Sequence, residues 1–426
     1  MPSSSGFGGV VATFQHRNFR IYITGNAISL VGTWMQRIAV GWLTWELTQS
    51  GFWLGLVSCA DLLPAVFFGP FGGVLADRFN RRRIMMTTQL IALVQATVLF
   101  ALTIAGVITV ELLALLVLVN GVVIGFNQPA RLALMPSLVP REALSTAIAI
   151  NSVAFNLARF LGPAVAGLLI VTTGVAGAFA ANALSFLAFV IALSRLRLAV
   201  EAESGAGGRA SVLEQLGEGI AYTVRHPGIG PMLLLLAMVS LGVRPFVELM
   251  PGFAADVFGR GADGLAMLSS TVGIGAMITG VWLARRGGGG LTRLVLLNAL
   301  FVSLAIIAFA ATDIFWFGLL AVGVAGMAMV ATGVSMQTLM QMSVDSAMRG
   351  RVLSLYGIIF IGGPAAGALI MGALSEALGL RLPLAAGATL AVAVWLWTWR
   401  KRKAITEALE GSDRIHSDRG LPGQAR

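Results

Sequence analysis

Chemistry-bearing side chains are scarce in this sequence of 426 residues, which holds one cysteine, three histidines and only 11% charged residues. With Cys59 alone no intramolecular disulfide can form, and a single small thiol inside an apolar run reads as packing rather than chemistry. The histidines, His16, His226 and His416, are far apart, and no HExxH, CxxC or GxxxxGK[ST] pattern occurs. A zinc hydrolase, a dithiol redox protein and a pump driven directly by ATP are thereby excluded, and no metal, cofactor or enzymatic activity is expected. Polar surface is lacking as well. At 57% hydrophobic residues and a mean hydropathy of +0.87, the chain cannot coat a water-soluble body.

What the chain has instead is long apolar runs. A helix needs about 20 apolar residues to cross a bilayer, and runs of that length fall at about 19–45, 51–75, 84–108, 111–130, 145–171 and 175–194, then at about 229–256, 264–284, 291–311, 314–337, 351–377 and 382–399. A polar interval separates the two sets of six. The expected organisation is a tail over residues 1–16, a six-helix bundle over 17–194, a linker over 195–228, a second bundle over 229–400 and a tail over 401–426. Both tails are expected to lack regular structure beyond a turn at Phe14 to Phe19 and one or two turns after Ala404. Within the linker, Ser211 and Glu214 have capping-box spacing, and Leu213, Leu216, Ile220 and Val224 recur at helical intervals, predicting an amphipathic surface helix.

The net charge of +10 follows topology rather than a nucleic-acid footprint. With the N-terminus in the cytoplasm, the basic residues between spans fall almost entirely on the cytoplasmic side, only Arg260 and Arg381 lying opposite, as the positive-inside rule expects. Both termini are then cytoplasmic, and Arg400, Lys401, Arg402 and Lys403 stop the last span. Arginine-rich composition with lysine only at 401 and 403 points to a bacterial cytoplasmic membrane.

Five charges lie inside spans: Arg37, Asp61, Arg159, Arg244 and Glu248. Hydrocarbon does not tolerate such groups unless they face a partner or a wet path, so they are the candidate substrate or proton pathway. Arg244 and Glu248, four apart, either neutralise each other on one helical face or line that path. In the first half, two arginines against Asp61 leave positive charge for an anionic or carbonyl-rich cargo. Only a carboxylate can alternate between charged and neutral forms, so Asp61 or Glu248 is the candidate proton carrier.

The loop GGVLADRFNRRR, from Gly72 to Arg83, sets charge between two apolar runs. Its Gly73, Leu75, Asp77, Arg78, Arg81 and Arg82 closely resemble the signature loop between helices 2 and 3 of the major facilitator superfamily of secondary transporters. Asn80 stands where that family has glycine, so a left-handed turn residue is expected there. The fifth span, NLARFLGPAVAG, resembles the helix-5 motif of exporters in that superfamily at Gly162, Pro163 and Gly167. GGPAAGALI repeats it at Gly363, Pro364 and Gly367, and LARRGGGGLTR weakly echoes the loop near Gly280. The likeness extends over helices 1 to 11, including FNQPAR at Pro129 and Arg131, and looks like the branch holding the enterobactin exporter and macrolide efflux proteins.

That resemblance implies an all-α membrane protein of twelve transmembrane helices in two six-helix parallel repeats. It implies proton-coupled export of a small hydrophobic or anionic molecule by a monomer, without nucleic-acid partners. It also implies a conformational latch in which Asp77 pairs with Arg131 and with the end of helix 11 near Arg351. Gly121 and Gly125 in the fourth span read as a close-packing face. Met267, Met277, Met327, Met329 and Met336 read as adaptable lining or as core. An uptake symporter or facilitator for a metabolite or lysolipid, and a non-transporting scaffold or sensor, are the alternatives.

Overall fold

The computed structural model describes residues 7–197, 212–286 and 289–418, and among them every regular element is helical. The expected cap residue Ser211, the linker glycines 205–208 and the last eight residues lie outside that range. The helices are α1 (Phe7–Gln15), α2 (Arg17–Thr48), α3 (Gly51–Arg78), α4 (Arg81–Ile104), α5 (Val110–Leu134) and α6 (Leu144–Ser194). After the linker come α7 (Val212–Arg225), α8 (Ile229–Gly242), α9 (Phe246–Gly252), α10 (Ala262–Arg286) and α11 (Leu291–Ala311). The chain ends with α12 (Phe315–Ser343), α13 (Ser346–Leu378), α14 (Arg381–Arg400) and α15 (Arg402–Asp418).

Among the described residues, ten stretches are long and apolar enough to cross a membrane. One of them, residues 141–194, runs 54 residues and turns at Gly174, where φ is +76°, so it holds the length of two crossings. α2 has the length, 32 residues, but Asn18, Arg20, Asn26, Gln36 and Arg37 dilute its apolar character below that of the ten. Apolar side chains without protein neighbours, such as Phe67 at 66% and Val94 at 61% exposed, face outward from these helices. On a multi-pass membrane protein they form the surface against lipid.

Short connections end the helices by side-chain capping. Ser50 accepts from the Trp53 amide at the start of α3, and Thr109 from Leu112 at the start of α5. Asn80 corrects the sequence reading: its φ is −60°, in extended rather than left-handed backbone, and its Oδ1 accepts from the Arg83 amide. Asparagine is there as the N-cap of α4, a task for which glycine has no side chain.

The chain divides into two compact units. The first holds residues 1–208, 248–273 and 368–376, and the second holds 209–247, 274–367 and 377–426. In the first, Phe19, Tyr22, Met85, Leu134 and Phe189 form a core at one end, with Tyr22 and Phe189 edge to face at 5.8 Å. Small residues bring its backbones together: a Cβ on Gly121 would lie 2.6 Å from the Ala60 carbonyl oxygen, and one on Gly72 2.5 Å from that of Gly125. Gly73, by contrast, has no neighbour within 4 Å of where its Cβ would stand. Residues 7–15, expected to be irregular, form a helix whose Thr13 is buried, with Phe14 packed edge to face on Phe19.

In the second unit, α11 packs between α12 and α14, and a Cβ on Gly242 would lie 2.5 Å from the Gly387 carbonyl oxygen, so the bare glycine lets α8 close on α14. α7 docks through its polar face: Glu218 pairs with Arg351 at 2.7 Å, and the Tyr222 hydroxyl donates to Asp345 at 3.2 Å. Ile220 and Val224 remain exposed on the other face. Burial holds the His226 pKa below its usual value despite Asp345, and its Nδ1 accepts from the Gly228 and Ile229 amides at the entry to α8. α15 runs from Arg402 to Asp418, longer than the one or two turns expected after Ala404. Its Ile405 and Leu409 are buried, Ser343 donates to the Leu409 carbonyl, and Glu410 accepts from the Thr292 amide at the start of α11. Leu409→Ala should therefore destabilise the protein by about 3 kcal/mol, as buried leucine truncations do, read as an earlier midpoint in a denaturant titration of the detergent-solubilised protein.

Candidate functional site

The intramembrane charges of the first unit converge on α2. Arg37 Nη2 donates to Glu248 Oε1 at 2.8 Å, and its Nε stands 3.7 Å from Asp61 Oδ2. Ser58 Oγ donates to the other oxygen of Glu248 at 3.3 Å, and Asn120 hydrogen-bonds Asp61. One arginine is thus held by two carboxylates, Asp61 of α3 and Glu248 in the first turn of α9. Gly41 allows the α9 end to approach, its Cβ position lying 3.2 Å from Pro251.

Arg244 and Glu248, four apart in sequence, belong to different units. Pro245 has no amide hydrogen to give, and the backbone leaves the helix from Val243 to Pro245, the Val243 and Arg244 amides both donating to Val239. Glu248 lies in the first turn of α9 and meets Arg37. Arg244, in the second unit, donates to the Phe360 carbonyl and lies 4.0 Å over that residue's ring.

The helix-5 motif explains where Arg159 goes. Pro163 has no N–H, so the carbonyl one turn earlier, that of Arg159, loses its helical partner. Gly162 faces α2, where a Cβ would collide with Trp34, so the absence of a side chain lets Trp34 close in. The Arg159 guanidinium then sits 5.5 Å from the Trp34 ring centre, and that of Arg37 5.6 Å from the same ring. Gly167 faces Ala266 in the same close-packed way, and Ser270 Oγ donates to the Phe160 carbonyl at 3.4 Å. In the repeat, a Cβ on Gly363 would lie 2.6 Å from the Ser240 Cβ, and Gly367 faces the broken helix at Leu241 and Pro245. Phe360 stands one turn before Pro364, the place that Arg159 has before Pro163.

The sequence reading passed over a buried amide network beside this cluster. Asn182 Nδ2 donates to Gln36 Oε1 at 2.6 Å, Gln36 Nε2 to Gln95 Oε1 at 3.2 Å, and Gln95 Nε2 to the Leu116 carbonyl at 3.2 Å. Uncharged amides in apolar spans were the signal. By satisfying one another they fix the rotation of α2, and with it the direction of Arg37.

The signature loop is braced within the first unit. Arg82 donates to the carbonyls of Leu193 at 2.8 Å and Ser194 at 2.6 Å, closing the C-terminal end of α6. Arg81 reaches Ala76 and Ala133. Asp77 and Arg78 are exposed, and Asp77 makes no ion pair among the described residues. Arg131 has a buried Nε without a hydrogen-bond partner, and Arg351, the other expected latch residue, is held by Glu218. Of the five methionines singled out, Met336 is fully buried, Met329 is 7% exposed and Met267 is 38% exposed, so they do not share one surface.

Comparison with known proteins places this arrangement. The macrolide efflux protein A of Streptococcus pyogenes is 24% identical over 338 residues, covering 79% of this chain and 84% of that protein. The enterobactin exporter EntS of Escherichia coli O1:K1 / APEC is 28% identical over 375 residues, covering 84% of this chain and 85% of its own. Among solved structures, a bacterial homologue of the human lysosomal transporter Spinster superposes with a TM-score of 0.69 at 15% identity, over 92% of this chain and 98% of the other. A D-xylose-proton symporter gives 0.64 at 15% identity, over 89% and 97%. These folds are those of membrane transporters rather than enzymes, and residues 8–420 match the family described as transmembrane secretion effector. The chain is a member of that family, within the major facilitator superfamily of small-molecule transporters.

Proposed function

We propose that the protein exports a small hydrophobic or anionic molecule across a bacterial cytoplasmic membrane by alternating access, exchanging it for protons. It works as a monomer with both termini in the cytoplasm. The observation that carries this reading is Arg37 shared between two carboxylates deep in the spans. An arginine keeps its charge at any physiological pH, whereas a carboxylate beside it can be emptied and refilled. Asp61, at 3.7 Å from Arg37, is held less closely than Glu248 at 2.8 Å, which favours Asp61 as the group that takes the proton. Protonation at either carboxylate weakens its hold on Arg37 and so biases the packing of α2 against α3 and α9. The efflux relatives supply the direction.

The loop from Gly73 to Arg82, with Arg131, is the latch that follows this bias. Arg131 offers a buried donor without a partner, and Asp77 an exposed carboxylate on the adjoining turn. Alkylation of reporter cysteines at the cytoplasmic end should differ between Asp77→Asn and the parent, and identical rates would remove the latch. For transport itself, inside-out vesicles carrying a lumenal pH dye are energised and offered amphiphiles and siderophores in turn. A true cargo should release lumenal protons. Asp61→Asn should abolish that release, and full release in the variant would discard Asp61 as the carrier.

A further inference from the structure

The two arginines that flank Trp34 are unequal. Arg37 is answered by Glu248 and Asp61, whereas Arg159 meets no carboxylate among the described residues, and its recorded contact is the face of the Trp34 ring at 5.5 Å. Both belong to membrane-spanning helices, where an unanswered charge costs several kcal/mol. The fold nevertheless spends a proline and two glycines on placing Arg159 there: Pro163 bends the helix one turn on, Gly162 admits Trp34, and Gly167 admits Ala266. In the repeat, the corresponding place is Phe360, and the neighbouring cation, Arg244, is satisfied by that residue's carbonyl and ring. Of the arginines inside the spans, Arg159 is the one whose fork meets no acceptor among the described residues.

We infer that Arg159 and Trp34 form the recognition site for an anionic group borne on a flat aromatic frame, an assignment that rests on the transporter proposal above. A guanidinium presents paired N–H donors that match a carboxylate in two parallel hydrogen bonds. The indole beside it adds apolar surface against which an aromatic ring can pack. Because the donors of Arg37 are already engaged by Glu248, an anion that enters takes Arg159 without dismantling the carboxylate pair. Charge on the cargo and charge on the proton carriers therefore have separate holders.

The test uses the full chain in nanodiscs of zwitterionic lipid and three probes sharing one ring system: 2-naphthoate, 2-naphthamide and 2-naphthylmethylamine. Calorimetry should show naphthoate binding at least tenfold more tightly than the amide, with the amine weakest. Arg159→Gln should remove the preference for naphthoate, lowering naphthoate affinity far more than amide affinity, and an unshifted denaturant midpoint shows that the variant is folded. Arg159→Lys should keep part of the preference, and Trp34→Leu should weaken naphthoate and naphthamide together. Equal binding of acid and amide, or a preference that survives Arg159→Gln, overturns the site. Displacement of naphthoate by phosphatidylglycerol added to the disc would overturn the aromatic cargo in favour of a lipid headgroup. Naphthoate binding without transport of any compound in proteoliposomes would overturn the transporter reading and leave the site. Transport of a cargo at an undiminished rate in Arg159→Gln would do the reverse.

Discussion

Replacing Arg37 with methionine should destabilise the protein by about 3 kcal/mol and abolish transport, because it leaves two carboxylates near each other in a membrane span with no cation between them. The figure is at the low end for breaking a buried pair, since the Arg37 side chain keeps 31% of its surface exposed while those of Asp61 and Glu248 keep 19% and 12%. Glu248→Gln should cost less, because Arg37 retains Asp61 and the amide can still accept. The double variant Arg37→Met, Glu248→Gln should be more stable than the sum of the single losses predicts, since removing both partners leaves only one carboxylate unanswered. Denaturant midpoints of the four proteins in one detergent measure this cycle. Additive losses would show that the 2.8 Å contact contributes no coupling.

Gly372→Leu should reduce transport at least tenfold by forcing apart a crossing in the first unit. α3 presents Gly51 and Gly55, and residues 368–376 present Ala368 and Gly372, small residues four apart on both helices. This arrangement lets backbones touch, as at packed helix pairs in membranes. A Cβ on Gly372 would overlap the Gly51 carbonyl, and one on Gly55 would overlap that of Ala368. Glu376 completes the crossing by accepting from Ser50 Oγ at 2.7 Å and from the Phe52 amide at 3.2 Å, so a carboxylate from α13 caps α3. In a Cys59→Ser background, a cysteine placed at Leu54, which is 2% exposed, reports the opening. Alkylation should accelerate in Gly372→Leu and stay near the parent rate in Gly372→Ser. Unchanged labelling and transport in the leucine variant would show that the crossing yields without consequence.

The helices, their family and the five buried charges were legible in the sequence because hydrocarbon imposes its demands locally: a span must be long and apolar, and a charge in it stands out. Partnership was not legible. Glu248 is 211 residues from Arg37, a separation that no helical spacing can reveal. In the tail the turns after Ala404 were expected, but its charge hid that Ile405 and Leu409, four apart, make one buried face. The signature loop was recognised from its spacing, but spacing does not show that Arg82 closes the end of α6 while Gly72, rather than Gly73, is the close-packed glycine. Amides such as Gln95 and Asn182 escaped because a hydrogen bond between neutral groups leaves no excess in composition or charge.

The lone fork of Arg159 carries an electrical consequence. A monoanion leaving the cell as a proton enters moves two elementary charges in the same sense. An inside-negative voltage assists each by about 2.3 kcal/mol per 100 mV. The two together correspond to a concentration ratio of roughly a thousandfold or more, at about 1.4 kcal/mol per factor of ten, before any pH difference is counted. A transporter built in this way would be driven mainly by voltage, and its turnover would register as an outward-negative current on a planar bilayer.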